Sequence, residues 1–266
     1  MSMDLSDTAL SAISSEMKTL ALRAARPLLP SAWWQRWEKY RGALDVCPTV
    51  GRTRFGSLRR VTPISRVFGL DRGQSICRYY IDDFLAEYAL DIRGRVLEIA
   101  DGNYTRRFGG DRVTYSDVLH VQDGKPGVTI VADLTSNSQI GSDIFDCIIL
   151  TQTLQFIYDL RAAISTVHRI LKPGGVLLAT VSGISQISRY DMDRWGDYWR
   201  LTTLSARKLL EEAFAPSGIT VESYGNVLAA TAYLHGLAAE ELSHDELDYR
   251  DPNYQMLITM RAIKPQ

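Results

Sequence analysis

Cysteine is scarce in this chain of 266 residues. Cys47, Cys77 and Cys147 stand far apart, too few and too scattered for a disulfide framework or a metal knuckle. Cys147 sits inside an apolar run and reads as a small core residue. Histidine is nearly as rare: His120, His168, His235 and His244. No metal site is expected. Met1 to Leu10 shows no basic stretch followed by a continuous apolar core, which argues against a secretory leader. No apolar run is long enough to span a bilayer. Together these absences predict a cytoplasmic, reducing environment of bacterial style. Excess charge is missing too, with 30 Lys+Arg against 31 Asp+Glu and a net charge of −1, so nothing global favours nucleic acid. Internal repeats and low-complexity tracts are absent.

What is present is an ordinary globular composition, 45% hydrophobic and 23% charged, enough for one sizeable core with an appendage. Charge is unevenly placed: residues 1–95 hold 15 Lys+Arg against 10 Asp+Glu, and the remainder 15 against 21. A basic front suits a solvated face or an anionic partner such as a phosphorylated substrate or a membrane surface.

Leu10, Ile13, Met17, Leu20 and Ala24 recur at helical spacing over residues 8–26, before Pro27 and Pro30. Trp33 to Tyr40 mixes aromatics with basic residues; it suits packing onto a domain, with peripheral membrane contact as the alternative. Residues 42–75 are rich in glycine, proline and arginine and read as a connector. The division predicted is an N-terminal helical and loop-rich appendage, 1–75, and a main domain, 76–266, with insertions near 183–202 and 228–250.

Helical spacing returns over 76–89, and from residue 95 strands alternate with helices, which predicts an α/β fold with parallel strands. The strands read are 95–100, 112–116, 128–132, 145–150, 175–181, about 219–224 and about 254–262. Lys172-Pro173-Gly174-Gly175 marks a helix stop ahead of the fifth. Glu98, Asp117 and Asp133 fall at strand ends, where open parallel sheets bind ligands. Glu98 and Asp117 lie about 20 residues apart, the spacing at which a second-strand acid reaches ribose hydroxyls. Asp133 is placed to accept from an exocyclic adenine amine. Any one such acid is more often a helix cap or turn former than a ligand contact.

Val96-Leu97-Glu98-Ile99-Ala100-Asp101-Gly102, the two later acids, Phe145 to Gln155 and Ile170 to Leu178 together resemble a class I S-adenosylmethionine-dependent methyltransferase of the broad type 11 kind. Asp191 to Thr202 and the 228–242 insertion are similar to a bacterial subgroup whose substrate is unassigned. The resemblance implies a Rossmann-like seven-stranded mostly parallel sheet, order 3-2-1-4-5-7-6 with the last strand antiparallel and helices on both faces. It implies S-adenosyl-L-methionine as cofactor and S-adenosyl-L-homocysteine as product. The family writes Glu-x-Gly-x-Gly-x-Gly where this chain has Glu98, Ala100, Gly102 and Tyr104. Alanine is expected to fit if its φ stays negative, and Tyr104 to stand at the rim.

The cofactor-binding residues expected are Arg78, Tyr79, Glu98, Ala100, Asp101, Gly102, Asp117, Val118, Asp133, Leu134, Thr151 and Gln152. Arg78 and Tyr79 would meet the cofactor carboxylate, for which a bidentate arginine is well suited. The acceptor would meet Gln155, Arg189, Tyr190, Trp195, Tyr198 and Arg200, aromatics beside charges that suit a sugar ring. His235, in an insertion able to roof the site, is the candidate base, and a base is needed only for a poor nucleophile. The acceptor favoured is a saccharide or secondary-metabolite hydroxyl, O-methylated as a small molecule. The alternatives are an inactive nucleoside-binding or scaffold protein, and an enzyme that keeps the cofactor for another reaction.

Overall fold

The apolar runs of the sequence become strands whose centres are almost wholly buried: Val96-Leu97, Cys147 to Leu150 and Leu177 to Ala179 are all 0% exposed. Residues buried on both faces are what a covered parallel sheet requires. This computed structural model describes residues 48–136 and 139–266, and residues 60–266 form one compact unit. The helix expected over 8–26 and the aromatic stretch 33–40 lie outside the described residues.

In chain order the main elements are α1 (Ile76–Glu87), β1 (Gly94–Ile99), β2 (Val113–His120), β3 (Ile130–Val131), β4 (Phe145–Thr151), α2 (Leu160–Ile170), β5 (Leu171–Ser182), α3 (Arg189–Met192), α4 (Thr203–Glu211), β6 (Ile219–Tyr224), α5 (Val227–Leu234), α6 (His244–Asp248) and β7 (Leu257–Ile263). The strands form one seven-stranded sheet in the order β3-β2-β1-β4-β5-β7-β6. β7 runs antiparallel to both of its neighbours, and the other pairings are parallel. This is the order and direction expected.

Alternation along each strand splits the core in two. Leu97, Ile148 and Leu150 face α2 and α4 through Ile164, Val167, Leu209 and Leu210. Val96, Cys147 and Ile149 face α1 and α5 through Ile76, Tyr80, Phe84, Ala229 and Tyr233. Asp159 starts α2 by accepting from the Ala162 N–H at 3.0 Å, a cap that satisfies one otherwise unpaired donor.

Three departures matter for the site. Asp117 lies inside β2, which runs on to His120, beyond the expected end at 116. Between β1 and β2 there is a short π-helical turn, Thr105–Gly109, rather than a covering α-helix. The Lys172–Gly175 stretch is a bulge within β5: Leu171 pairs with Phe145, and regular pairing resumes at Val176 with Cys147. Gly174 takes φ +77° there, a conformation glycine adopts without penalty.

Candidate functional site

The carboxyl ends of β1, β2 and β4 open into a cavity of about 1090 Å³. That is at the upper end of ordinary ligand pockets, and its position is where open α/β sheets bind ligands.

β1 supplies the first wall. Glu98 is 2% exposed, and its carboxylate accepts from the Tyr104 and Thr105 N–H groups at 3.1 and 2.7 Å. Burial pushes its carboxyl pKa up, against those bonds. Glu98 therefore caps the turn that follows β1. Ala100 and Asp101 line the cavity, and Asp101 is exposed, with Oδ1 accepting from the Asn103 N–H at 2.8 Å. The expectation for Ala100 is corrected: its φ is +75°, so it holds a glycine conformation with a methyl attached, at a cost of roughly 1–2 kcal/mol. Gly102 turns away from the cavity, and a Cβ there would meet Arg106, Val118 and Ser116. Tyr104 lines the cavity and stacks on Phe108 at 6.2 Å between ring centres; burial pushes its hydroxyl up to about 12.

β2 requires the largest correction. Asp117 is not on the cavity wall. It is 2% exposed; Arg95 Nε donates to one of its oxygens at 2.7 Å and Thr129 Oγ1 to the other at 2.8 Å. Val118 is likewise off the wall. The strand instead delivers Leu119, His120 and Val121, followed by Lys125. Lys125 Nζ lies 2.8 Å from His120 Nε2. Burial, and then the lysine charge, hold the imidazole pKa below its usual value. An imidazole and a lysine side chain thus stand where a carboxylate was expected.

α1 contributes one of its two candidates. Arg78 is exposed and lines the cavity. Tyr79 points elsewhere, donating to Asp248 Oδ1 at 2.7 Å, with His244 Nδ1 at 3.2 Å. Beyond β3, Asp133 and Leu134 line the cavity. Asp133 Oδ1 accepts from the Thr135 N–H and hydroxyl at 2.8 and 2.9 Å, so its other oxygen keeps its capacity. At the end of β4, Thr151, Gln152 and Gln155 are all on the wall.

The segment after β5 closes the far side. Tyr190, Trp195, Tyr198 and Arg200 line the cavity. Trp195 meets the His120 ring edge-on at 5.7 Å, and the Tyr198 N–H donates to the Gln155 carbonyl at 2.8 Å. Arg200 is held by both oxygens of Asp197, at 2.5 and 2.9 Å. Arg189 is off the wall, paired with Asp193. His235 is also corrected. It caps the end of α5, its carbonyl accepts from Ile64 and Ser65, and it does not line the cavity.

The sequence reading did not single out Lys125, Ser182, Ser185, Gln186 or Tyr158, all of which line the cavity. Ser182 had a usable signal, a polar residue ending an apolar strand. Lys125 had none, because only the return of its loop brings it to His120. Among the described residues, no three His, Cys, Asp or Glu side chains cluster as a metal site would need.

Residues 69–179 match a family described as methyltransferase domain. No curated protein sequence matches the chain. Solved structures similar to it include S-adenosylmethionine-dependent methyltransferases from three organisms. The one from Archaeoglobus fulgidus is 11% identical, covers 70% of this chain and 94% of its own, and has a TM-score of 0.48. The one from Mesorhizobium loti is 19% identical, covers 73% and 99%, and scores 0.45. The one from Thermotoga maritima is 17% identical, covers 71% and 91%, and scores 0.45. The match over 69–179 takes in β1 to β4, α2 and most of β5, so this stretch of the seven-stranded sheet is similar to a methyltransferase domain.

Proposed function

We propose that this chain is a methyltransferase that moves the methyl group of S-adenosylmethionine to a small-molecule acceptor, favoured as a saccharide or secondary-metabolite hydroxyl. The observation that carries this reading is one continuous cavity, running from the turn after β1 past Asp133 and Leu134 to Gln152, Gln155 and the aromatic segment after β5. The donor set fits the cofactor at three corners. Arg78 suits a carboxylate, and Asp101 suits an ammonium. Asp133 and Leu134 give a purine edge one acceptor and one apolar contact. Thr151 and Gln152 are uncharged and tolerate a sulfonium. The fourth corner, at the end of β2, meets the ribose with His120 and Lys125 in place of a carboxylate.

When bound, the cofactor supplies a methyl group already activated for displacement. The protein then needs to orient the acceptor and keep water out, and alignment alone can supply much of the rate. Trp195, Tyr198 and Tyr190 serve both ends. The missing ribose carboxylate favours a second reading, a nucleoside-binding protein without turnover. Calorimetry with S-adenosylmethionine and S-adenosylhomocysteine separates the two. The absence of both heat and a thermal shift with either ligand would sink the enzyme reading, and binding without methyl release across hydroxyl acceptors would favour the second.

A further inference from the structure

Two facing amides at the exit of β4 leave hydrogen-bonding capacity unspent. Gln155 is 4% exposed and lines the cavity together with Gln152. Gln155 Nε2 donates to Gln152 Oε1 at 2.7 Å, and Ser182 Oγ donates to the same oxygen at 2.8 Å. Gln152 Nε2 and Gln155 Oε1 are buried with no partner among the described residues. The two ends of an amide are assigned from their neighbours, but the count does not depend on that choice. Reversing both side chains exchanges which residue holds the unmet donor and which the unmet acceptor. Reversing one sets like atoms face to face.

Buried polar atoms are normally satisfied, and exceptions ask for a reason. A second cost lies at the same place: Gln152 takes φ +47°, a left-handed conformation uncommon outside glycine and typical of functional positions. Its N–H is held there by the Thr180 carbonyl at 2.9 Å. The pair is therefore fixed in place, uncharged and incomplete. An ionised group seated against it would shed water without gaining a counter-charge.

We propose that Gln152 and Gln155 are the acceptor-recognition pair, and that the group they seat is neutral and both donates and accepts a hydrogen bond: a hydroxyl or a carboxamide, in preference to a carboxylate or an ammonium. The word acceptor rests on the methyltransferase reading; the polarity of the group does not.

The test uses four matched probes on one ring, benzyl alcohol, benzamide, benzoate and benzylamine. They are titrated into the full chain with and without saturating S-adenosylhomocysteine, and followed by calorimetry or ligand-observed NMR. The alcohol and the amide should bind at least about tenfold more tightly than the two ions, a difference one or two buried hydrogen bonds can supply. Gln155→Met, close in size and apolar, should erase the preference, with a melting curve to confirm folding. If it does not fold, Gln155→Glu serves, and should shift preference toward benzylamine. The proposal is overturned if either ion binds as well as the alcohol, if no probe binds, or if the preference survives the substitution. Preference without S-adenosylhomocysteine binding would remove the cofactor reading and leave the pair. Cofactor binding without preference would remove the pair alone.

Discussion

Arg95 Nε donates to Asp117 at 2.7 Å across the β1–β2 pairing, and this bond turns an apparent ligand-binding acid into a structural one. The Asp117 side chain is 3% exposed and that of Arg95 41%, so the pair is half in water and its worth is moderate. Asp117→Ala is expected to lower stability by about 1–3 kcal/mol, mostly by leaving Thr129 and Arg95 without their acceptor. Affinity for S-adenosylhomocysteine should stay the same. Chemical denaturation and calorimetry on one preparation check both halves, and a large loss of affinity in a stably folded variant would contradict the placement.

Ala100 gives a prediction of opposite sign. With φ at +75°, replacing its methyl by hydrogen removes steric strain that outweighs the added freedom of the unfolded chain. Ala100→Gly should raise stability by about 1 kcal/mol, and Ala100→Val should cost more than that. Urea midpoints compared at a constant slope decide it.

Arg78 lines the cavity from α1; its N–H donates to the Ser75 carbonyl at 2.9 Å, while its guanidinium makes no hydrogen bond or ion pair among the described residues. Removing it should therefore leave the melting temperature nearly unchanged. If it meets the carboxylate of the cofactor, Arg78→Ala weakens S-adenosylhomocysteine binding by about tenfold, with Arg78→Lys recovering only part of the loss. Adenosine, which lacks the amino-acid end, should bind both variants as it binds the parent. A loss of affinity for adenosine equal to that for S-adenosylhomocysteine would show that the arginine acts elsewhere.

Acid should loosen the segment after β5. Burial works against the Asp197 carboxylate, but the bonds from Arg200 and the Ser188 N–H outweigh it and hold the group below the ordinary 3.8. A depressed carboxyl pKa means the unfolded chain takes the proton first. The stability it confers is complete above the unfolded value and drains as pH falls through it toward the folded one. Melting temperatures from about pH 6 down to about pH 3 should fall less steeply for Asp197→Asn than for the parent, the variant starting lower at neutral pH. Parallel curves would refute the assignment.

The strands could be read from the sequence because β1, β4 and β5 are continuous apolar runs, and their boundaries held within a few residues apart from the bulge that opens β5. Asp117 could not. A carboxylate in mid-strand reads as a strand end unless the neighbouring strand is known to bring an arginine to it, and Arg95 reaches Asp117 only through sheet register. For Ala100 the sequence showed a missing glycine but not the sign of φ. The backbone takes a left-handed conformation that favours glycine, and the side chain bears the strain. Tyr79 and His235 were misplaced for one reason: helical spacing shows which residues share a face, but not which face meets the cavity. Arg78, Asp101, Asp133, Gln152 and Gln155 reach the cavity wall because each follows, or packs beside, a strand end at the carboxyl edge of the sheet.

The order of the strands also bears on how the sheet is completed during synthesis. Among the described residues β6 pairs only with β7, and β7 inserts between β6 and β5. Until Leu257 to Ile263 have left the ribosome, β5 ends in an open edge and β6 has no partner in the sheet. A nascent chain that pauses between Tyr224 and Leu257 therefore exposes two unpaired edges at once, the condition under which strands recruit strangers. A ribosome-stalled series through this window would locate the point at which the sheet becomes protease-resistant. That point should follow the emergence of β7, after the last residue of the cavity wall, Tyr233, has been made.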